Sequence, residues 1–157
     1  MSERRYAIGV DLGTTHCALC YIDSAAQDAT LGPDLVTQTI FPIPQHTAPG
    51  NLEARPLLPS FLYAPHPDEL APADLYLPWS KDNSWVAGTL ARERGANTPT
   101  RLVSSAKSWL CHNGIDRRAP VLPLQASDDI AAISPLQASR LYLEHLREAW
   151  EHAHPEH

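Results

Sequence analysis

Residues 8–15 read Ile8-Gly9-Val10-Asp11-Leu12-Gly13-Thr14-Thr15, with one apolar run, Tyr6 to Val10, leading in and a second, Cys17 to Ile22, leading out. Two short apolar runs about a tight glycine-bearing turn spell a β-hairpin, and Gly13 is expected to supply the positive φ that such a turn demands. The turn is also chemically loaded. A carboxylate ends the first run, a glycine follows, and Thr14 and Thr15 add hydroxyls. Successive backbone N–H groups in such a turn converge on an anion, and threonine hydroxyls donate to phosphate oxygens. Asp11 beside a phosphate makes sense only with a Mg²⁺, held directly or through its waters, to cancel the repulsion. A polar hairpin turn with no ligand is the competing explanation of the same residues.

Working outward, a third strand is expected at Val36 to Ile43, where apolar and polar residues alternate in part. From Pro42 to Pro78 the chain carries nine of its fifteen prolines, a density that forbids long helices and central strands. Leu57 to Ala64 is the one strand expected inside that segment. Trp85 to Gly88 reads as a short strand entering a helix at Thr89 to Ala96, and Leu102 to Cys111 reads as a second helix. Val121 to Leu124 is an edge-strand candidate, followed by a polar turn at Ser127 to Asp129. The last element has the strongest start signal, with Ser134 as N-cap, Pro135 at the first helical position and Gln137 completing a capping box. Leu136, Leu143, Leu146, Trp150 and Ala153 are expected to form its buried face.

Composition narrows the function. The chain has 157 residues, with 12 Lys+Arg against 18 Asp+Glu for a formal charge of −6, and a pI near 5.7. A domain of this size buries roughly two-thirds of its unfolded surface, so it can hold a core without staples. With no run of Lys or Arg, it offers neither nucleic acid nor an anionic membrane a broad basic face. No apolar stretch reaches the roughly 18 residues needed to span a bilayer, and the N-terminus shows no cleavage signal. Three cysteines are too few for a disulfide framework, so a cytoplasmic location is expected. Cys17 and Cys20 form a C-x-x-C, but on a strand residues three apart face opposite ways, so they are expected to be ordinary buried thiols. His145, His152, His154 and His157 contain no H-x-x-x-H pair and are expected on the solvated face of the last helix. Trp79, Trp85, Trp109 and Trp150 are expected as packing anchors.

Residues 8–15 closely resemble the first phosphate motif of the heat-shock protein 70 (DnaK-type) chaperones, in the actin and sugar-kinase superfamily. The likeness continues in order along the chain. Leu58-Pro59-Ser60-Phe61-Leu62 is similar to that family's threonine-proline-serine strand, and Val86-Ala87-Gly88 with Ala91-Arg92 to its valine-glycine step into a helix. Asn97 to Leu102 and Ala106-Lys107-Ser108-Trp109-Leu110 are similar to its asparagine-proline and alanine/isoleucine-lysine-arginine-leucine segment. His16 stands where the family usually has asparagine, which puts a titratable group beside the turn. The Pro42 to Pro78 segment is longer and richer in proline than the family norm.

The resemblance implies an α/β fold, an actin-like ATPase (ribonuclease H-like) subdomain with a mixed β-sheet and flanking helices. It implies that residues 1–157 are the N-terminal part of a nucleotide-binding domain, the start of subdomain IA plus subdomain IB. The family's second phosphate motif, adenosine-binding motif and substrate-binding domain have no counterpart in the sequence. The implied cofactors are ATP or ADP with Mg²⁺, held by Gly13, Thr14, Thr15 and His16 at the phosphates and by Asp11 at the metal. Lys107 falls on the family's catalytic lysine; without the resemblance it would pass as a solvated surface charge. The implied activity is ATP hydrolysis by the full-length chaperone, with unfolded client proteins and co-chaperones as partners and little activity from this piece alone. The alternatives are a non-catalytic chaperone-like regulatory or protein-binding module, or part of a sugar or acetate kinase. Apolar surface bared at the hairpin and the last helix is expected to promote self-association.

Overall fold

A computed structural model of the chain describes residues 5–26, 36–82 and 84–156. The hairpin forms as β1 (Tyr6–Leu12) and β2 (His16–Asp23), antiparallel and in register from Leu12 opposite Cys17 to Tyr6 opposite Asp23. Strand alternation puts Cys17 and Leu19 on the core side of β2, while Cys20 lies on the other face and is only half-buried. Of the strand expected at residues 36–43, only β3 (Thr39–Ile40) pairs with β2, extended by one bond from the Phe41 N–H to the Leu19 carbonyl at 2.9 Å. The next position of β2 that faces this side, Cys17, pairs with Leu58 instead.

The chain restarts as β4 (Ile43–Ala48), turns at Pro49-Gly50, where Gly50 has φ +69°, and returns as β5 (Asn51–Arg55). This hairpin lies where the proline density was expected to exclude strands before residue 57. Its prolines sit where they are tolerated, since both strands of a two-stranded ribbon are edges and Pro49 lies in the turn. The strand expected at residues 57–64 is two. β6 (Leu58–Pro59) pairs with the start of β2, whereas β7 (Phe61–Tyr63) is the middle strand of another sheet, and Ser60 hands the chain from one to the other.

β8 (Val86–Ala87) flanks β7 on one side, and Gly88, at φ +92°, opens α1 (Thr89–Asn97). The helix expected at residues 102–111 is corrected. Leu102 to Ser104 form β9 on the other side of β7, Ser105 takes a left-handed φ of +54°, and α2 spans only Ala106–Leu110. Leu102 packs against Gly95 of α1, where a Cβ would come within 2.3 Å of it, so packing outweighs the local helical pattern. Of residues 121–124, only Leu122 makes a β-bridge, to Ile133.

α3 (Pro135–Ala153) starts as expected, the Ser134 side chain accepting from the Gln137 N–H at 3.1 Å. Its buried face is rotated from the expected one. Ala138, Tyr142, His145, Leu146, Ala149 and Trp150 are buried, whereas Leu136 and Leu143 are 47% and 41% exposed and Ala153 is exposed. His145 is therefore not a solvated histidine; its Nε2 lies 2.9 Å from the Pro44 carbonyl. His154 is also engaged, stacked on Trp150 at 3.8 Å between ring centres, while His152 is exposed and His157 lies outside the described residues. Trp150 meets Tyr6, Tyr21 and Phe41 edge-on at 5.0–5.4 Å, which docks α3 on the first sheet. Trp79, Trp85 and Trp109 pack against the same core.

The molecule is thus mixed α/β. Every strand pairing among the described residues is antiparallel, and no described helix is long and apolar enough to cross a membrane.

Candidate functional site

The β1–β2 turn owes its shape to a partner 44 or more residues along the chain. Ser60 is 2% exposed; its hydroxyl donates to the Gly13 carbonyl at 2.8 Å, and its N–H donates to the Thr15 carbonyl at 2.9 Å. The Cys17 sulfur lies 3.3 Å from the Ser60 oxygen. Because the one hydroxyl proton of Ser60 is committed to Gly13, the Cys17 thiol is the donor in that second contact. The turn is a bend at Thr14 and Thr15, without a hydrogen bond from the His16 N–H to the Gly13 carbonyl. Gly13 does not take the positive φ expected of it; the described glycines with positive φ are Gly50 and Gly88. Its reason is space, since a Cβ there would lie 2.1 Å from the His16 carbonyl oxygen.

This arrangement leaves donors over. Thr14 and Thr15 are exposed, and neither their backbone N–H groups nor their hydroxyls have a partner among the described residues. Asp11, opposite Ala18 in the ladder, is exposed with no ion pair among the described residues. His16 opens β2 and is half-buried.

Lys107 comes from α2, two residues past the left-handed Ser105, and is exposed with no described ion-pair partner. A non-glycine residue in that region costs roughly 1–3 kcal/mol and persists only where the surroundings impose it. Cys17 reports how these charges are disposed. Burial pushes its thiol up in pKa, and of the two charges Asp11 raises it further while Lys107 lowers it. Asp11 and Lys107, 96 residues apart, therefore both act on the sulfur at the foot of the turn. Near it lies Tyr142 of α3, whose hydroxyl is buried without a partner among the described residues.

Ser60 and Cys17 were not singled out as site residues from sequence. The Leu58-Pro59-Ser60 likeness pointed at the strand but not at its grip on the turn, which needs the pairing of β6 with β2. A cavity of about 430 Å³ between Leu102, Ser105, Trp109, Leu122 and Leu124 contains none of the turn residues, and Thr14 and Thr15 lie exposed at the surface. Among the described residues no three His, Cys, Asp or Glu are grouped to hold a metal ion. One carboxylate is still a fitting donor for Mg²⁺, which keeps several waters and takes other ligands from substrate phosphates. No family model matches the chain, and no curated protein matches it.

Proposed function

We propose that the chain is the phosphate-binding part of an ATP-hydrolysing, actin-like nucleotide-binding domain similar to that of the heat-shock protein 70 chaperones. The observation that carries this is the turn itself: Ser60 takes two of its carbonyls, and the N–H groups and hydroxyls of Thr14 and Thr15 are left for an outside acceptor. Neutral donors of this kind suit phosphate oxygens. Asp11 would hold Mg²⁺ beside them, and the metal would offset the charge of the phosphates. Lys107 would neutralise charge developing on the γ-phosphate and orient the attacking water, which is how positioned electrostatics accelerate phosphoryl transfer. Client proteins and co-chaperones of a longer protein carrying this chain belong to the same proposal.

Titration of the chain with Mg·ATP tests it. One turn supplies few contacts, so a Kd on the order of millimolar and no measurable hydrolysis are expected. Asp11→Asn should weaken the Mg²⁺ dependence. In a longer protein that hydrolyses ATP, Lys107→Ala should lower turnover about a hundredfold while nucleotide affinity stays nearly intact, the mark of an interaction made in the transition state. Wild-type turnover in that variant would return Lys107 to the solvated surface. Absence of any Mg·ATP effect on the turn at millimolar concentration would remove the phosphate function.

A further inference from the structure

A peptide unit is planar and trans, so its C=O and the following N–H point in opposite directions. The Gly13 carbonyl points at the Ser60 hydroxyl, which sends the Thr14 N–H away from Ser60. The Thr15 carbonyl points at the Ser60 N–H, which sends the His16 N–H away in the same manner. Two contacts from one buried residue thus fix the directions of two donors, on alternate residues of a turn that no internal hydrogen bond closes. The Cys17 thiol, donating to the Ser60 oxygen from below, leaves the Ser60 proton no better acceptor than Gly13.

We propose that Ser60 is the positioning residue of the anion-binding turn: it grips the Gly13 and Thr15 carbonyls from the core side, so that the Thr14 and His16 N–H groups point away from it, on the side where phosphate would bind. This rests on the phosphate function proposed for the turn. It also explains why the chain changes sheets at Ser60. The residue between β6 and β7 carries the β2–β6 register one step further, opposite Thr15, and so reaches the turn with its hydroxyl and its N–H together. Ser60 touches no nucleotide atom in this scheme; it acts through the turn.

The test compares wild type with Ser60→Ala and Ser60→Cys by ¹H–¹⁵N NMR, first free and then titrated with Mg²⁺-tripolyphosphate and Mg·ATP. In the free chain, Ser60→Ala should shift or broaden the amide signals of Thr14, Thr15 and His16 and leave those of α3 in place. On titration, wild type should show its largest shifts at Thr14 and His16, and Ser60→Ala should bind about five- to tenfold more weakly, the loss of one oriented hydrogen bond. Ser60→Cys keeps the side-chain size with a weak donor and should give the same pattern, which covers the case in which the alanine variant does not fold. Turn amides unmoved by both substitutions, or phosphate affinity equal to wild type, overturn the proposal. Moved amides in the variants with no phosphate shift in wild type would leave the Ser60 grip standing and overturn the phosphate function instead.

Discussion

Tyr142 carries a buried hydroxyl with no partner among the described residues, and burial, with Cys17 adding to it, pushes its pKa well above the usual tyrosine range. An unsatisfied buried hydroxyl costs more than a well-packed ring without it. Tyr142→Phe should therefore raise stability by about 1 kcal/mol, or roughly 2–4 °C in Tm, measured by thermal unfolding. His145 sets a second expectation. Burial lowers its pKa to about 4; the Pro44 carbonyl opposes this and nearby His46 adds to it. His46 is itself lowered, chiefly by burial, its ring nitrogens lying among backbone groups of Asn51, Leu75 and Tyr76 without a well-formed bond. Both rings are folded as neutral imidazoles. The unfolded chain takes up protons near pH 6.5 and the folded chain only near pH 4 at His145, so stability is full above 6.5 and falls as pH drops between these values. The His145 share is on the order of 3 kcal/mol. His145→Gln should flatten that part of a denaturation-versus-pH curve, and an unchanged slope would refute the assignment. Neither residue's state was legible in sequence. A histidine or tyrosine on an amphipathic helix is buried or not according to a phase that depends on which sheet the helix meets.

At the scale of elements, the tie between the second hairpin and α1 is Gln45, buried on β4. Its Oε1 accepts from the Thr89 N–H at 3.1 Å and the Thr89 hydroxyl at 2.9 Å, and its Nε2 donates to the Leu57 carbonyl at 2.9 Å. It thus caps α1 from 44 residues away, in place of a local N-cap, because Gly88 has no side chain to do so. Gln45→Leu keeps the bulk and strands the buried N–H and hydroxyl of Thr89 and the part-buried Leu57 carbonyl. A loss of about 2–4 kcal/mol is expected in chemical denaturation, with little change in m-value if the unfolded state is unaffected. The same contrast explains which elements the sequence revealed. The start of α3 is written in adjacent residues, Ser134, Pro135 and Gln137, and the β1–β2 hairpin in a local alternation, so both were legible. The burial face of α3 was not, because small Ala138 and Ala149 sit against the core while the larger Leu136 and Leu143 face out. Nor was the strand in place of helix at Leu102 to Ser104, which depends on β7 and on the space at Gly95. At the candidate site the turn's residue types were readable, but the Ser60 grip was not, since it is made across two sheets.

For the whole molecule, these packing corrections decide where it can meet a second copy. The apolar surface expected to be bare at the hairpin and the last helix is largely covered, with Leu19, Leu146 and Trp150 buried in the core, whereas β1 keeps one edge without a partner strand among the described residues. The bond from the Ser24 N–H to the Arg5 carbonyl sets the parity of the ladder. Odd-numbered residues of β1 face β2, and the backbone groups of Ile8, Val10 and Leu12 face the open edge. Ile8 and Val10 are 47% and 46% exposed, and β1 has no lysine, proline or bulge to blunt the edge. Antiparallel pairing of two such strands about Gly9 would set Ile8 against Val10 of the second copy twice over, with the glycines at the close-approach position. Self-association through this edge is therefore expected to rise with concentration in sedimentation or light scattering. Val10→Lys, which places a charge on the edge strand and leaves the core untouched, should shift the protein to monomer. A wild-type chain that stays monomeric across the concentration range would show that twist or neighbouring loops already protect the edge.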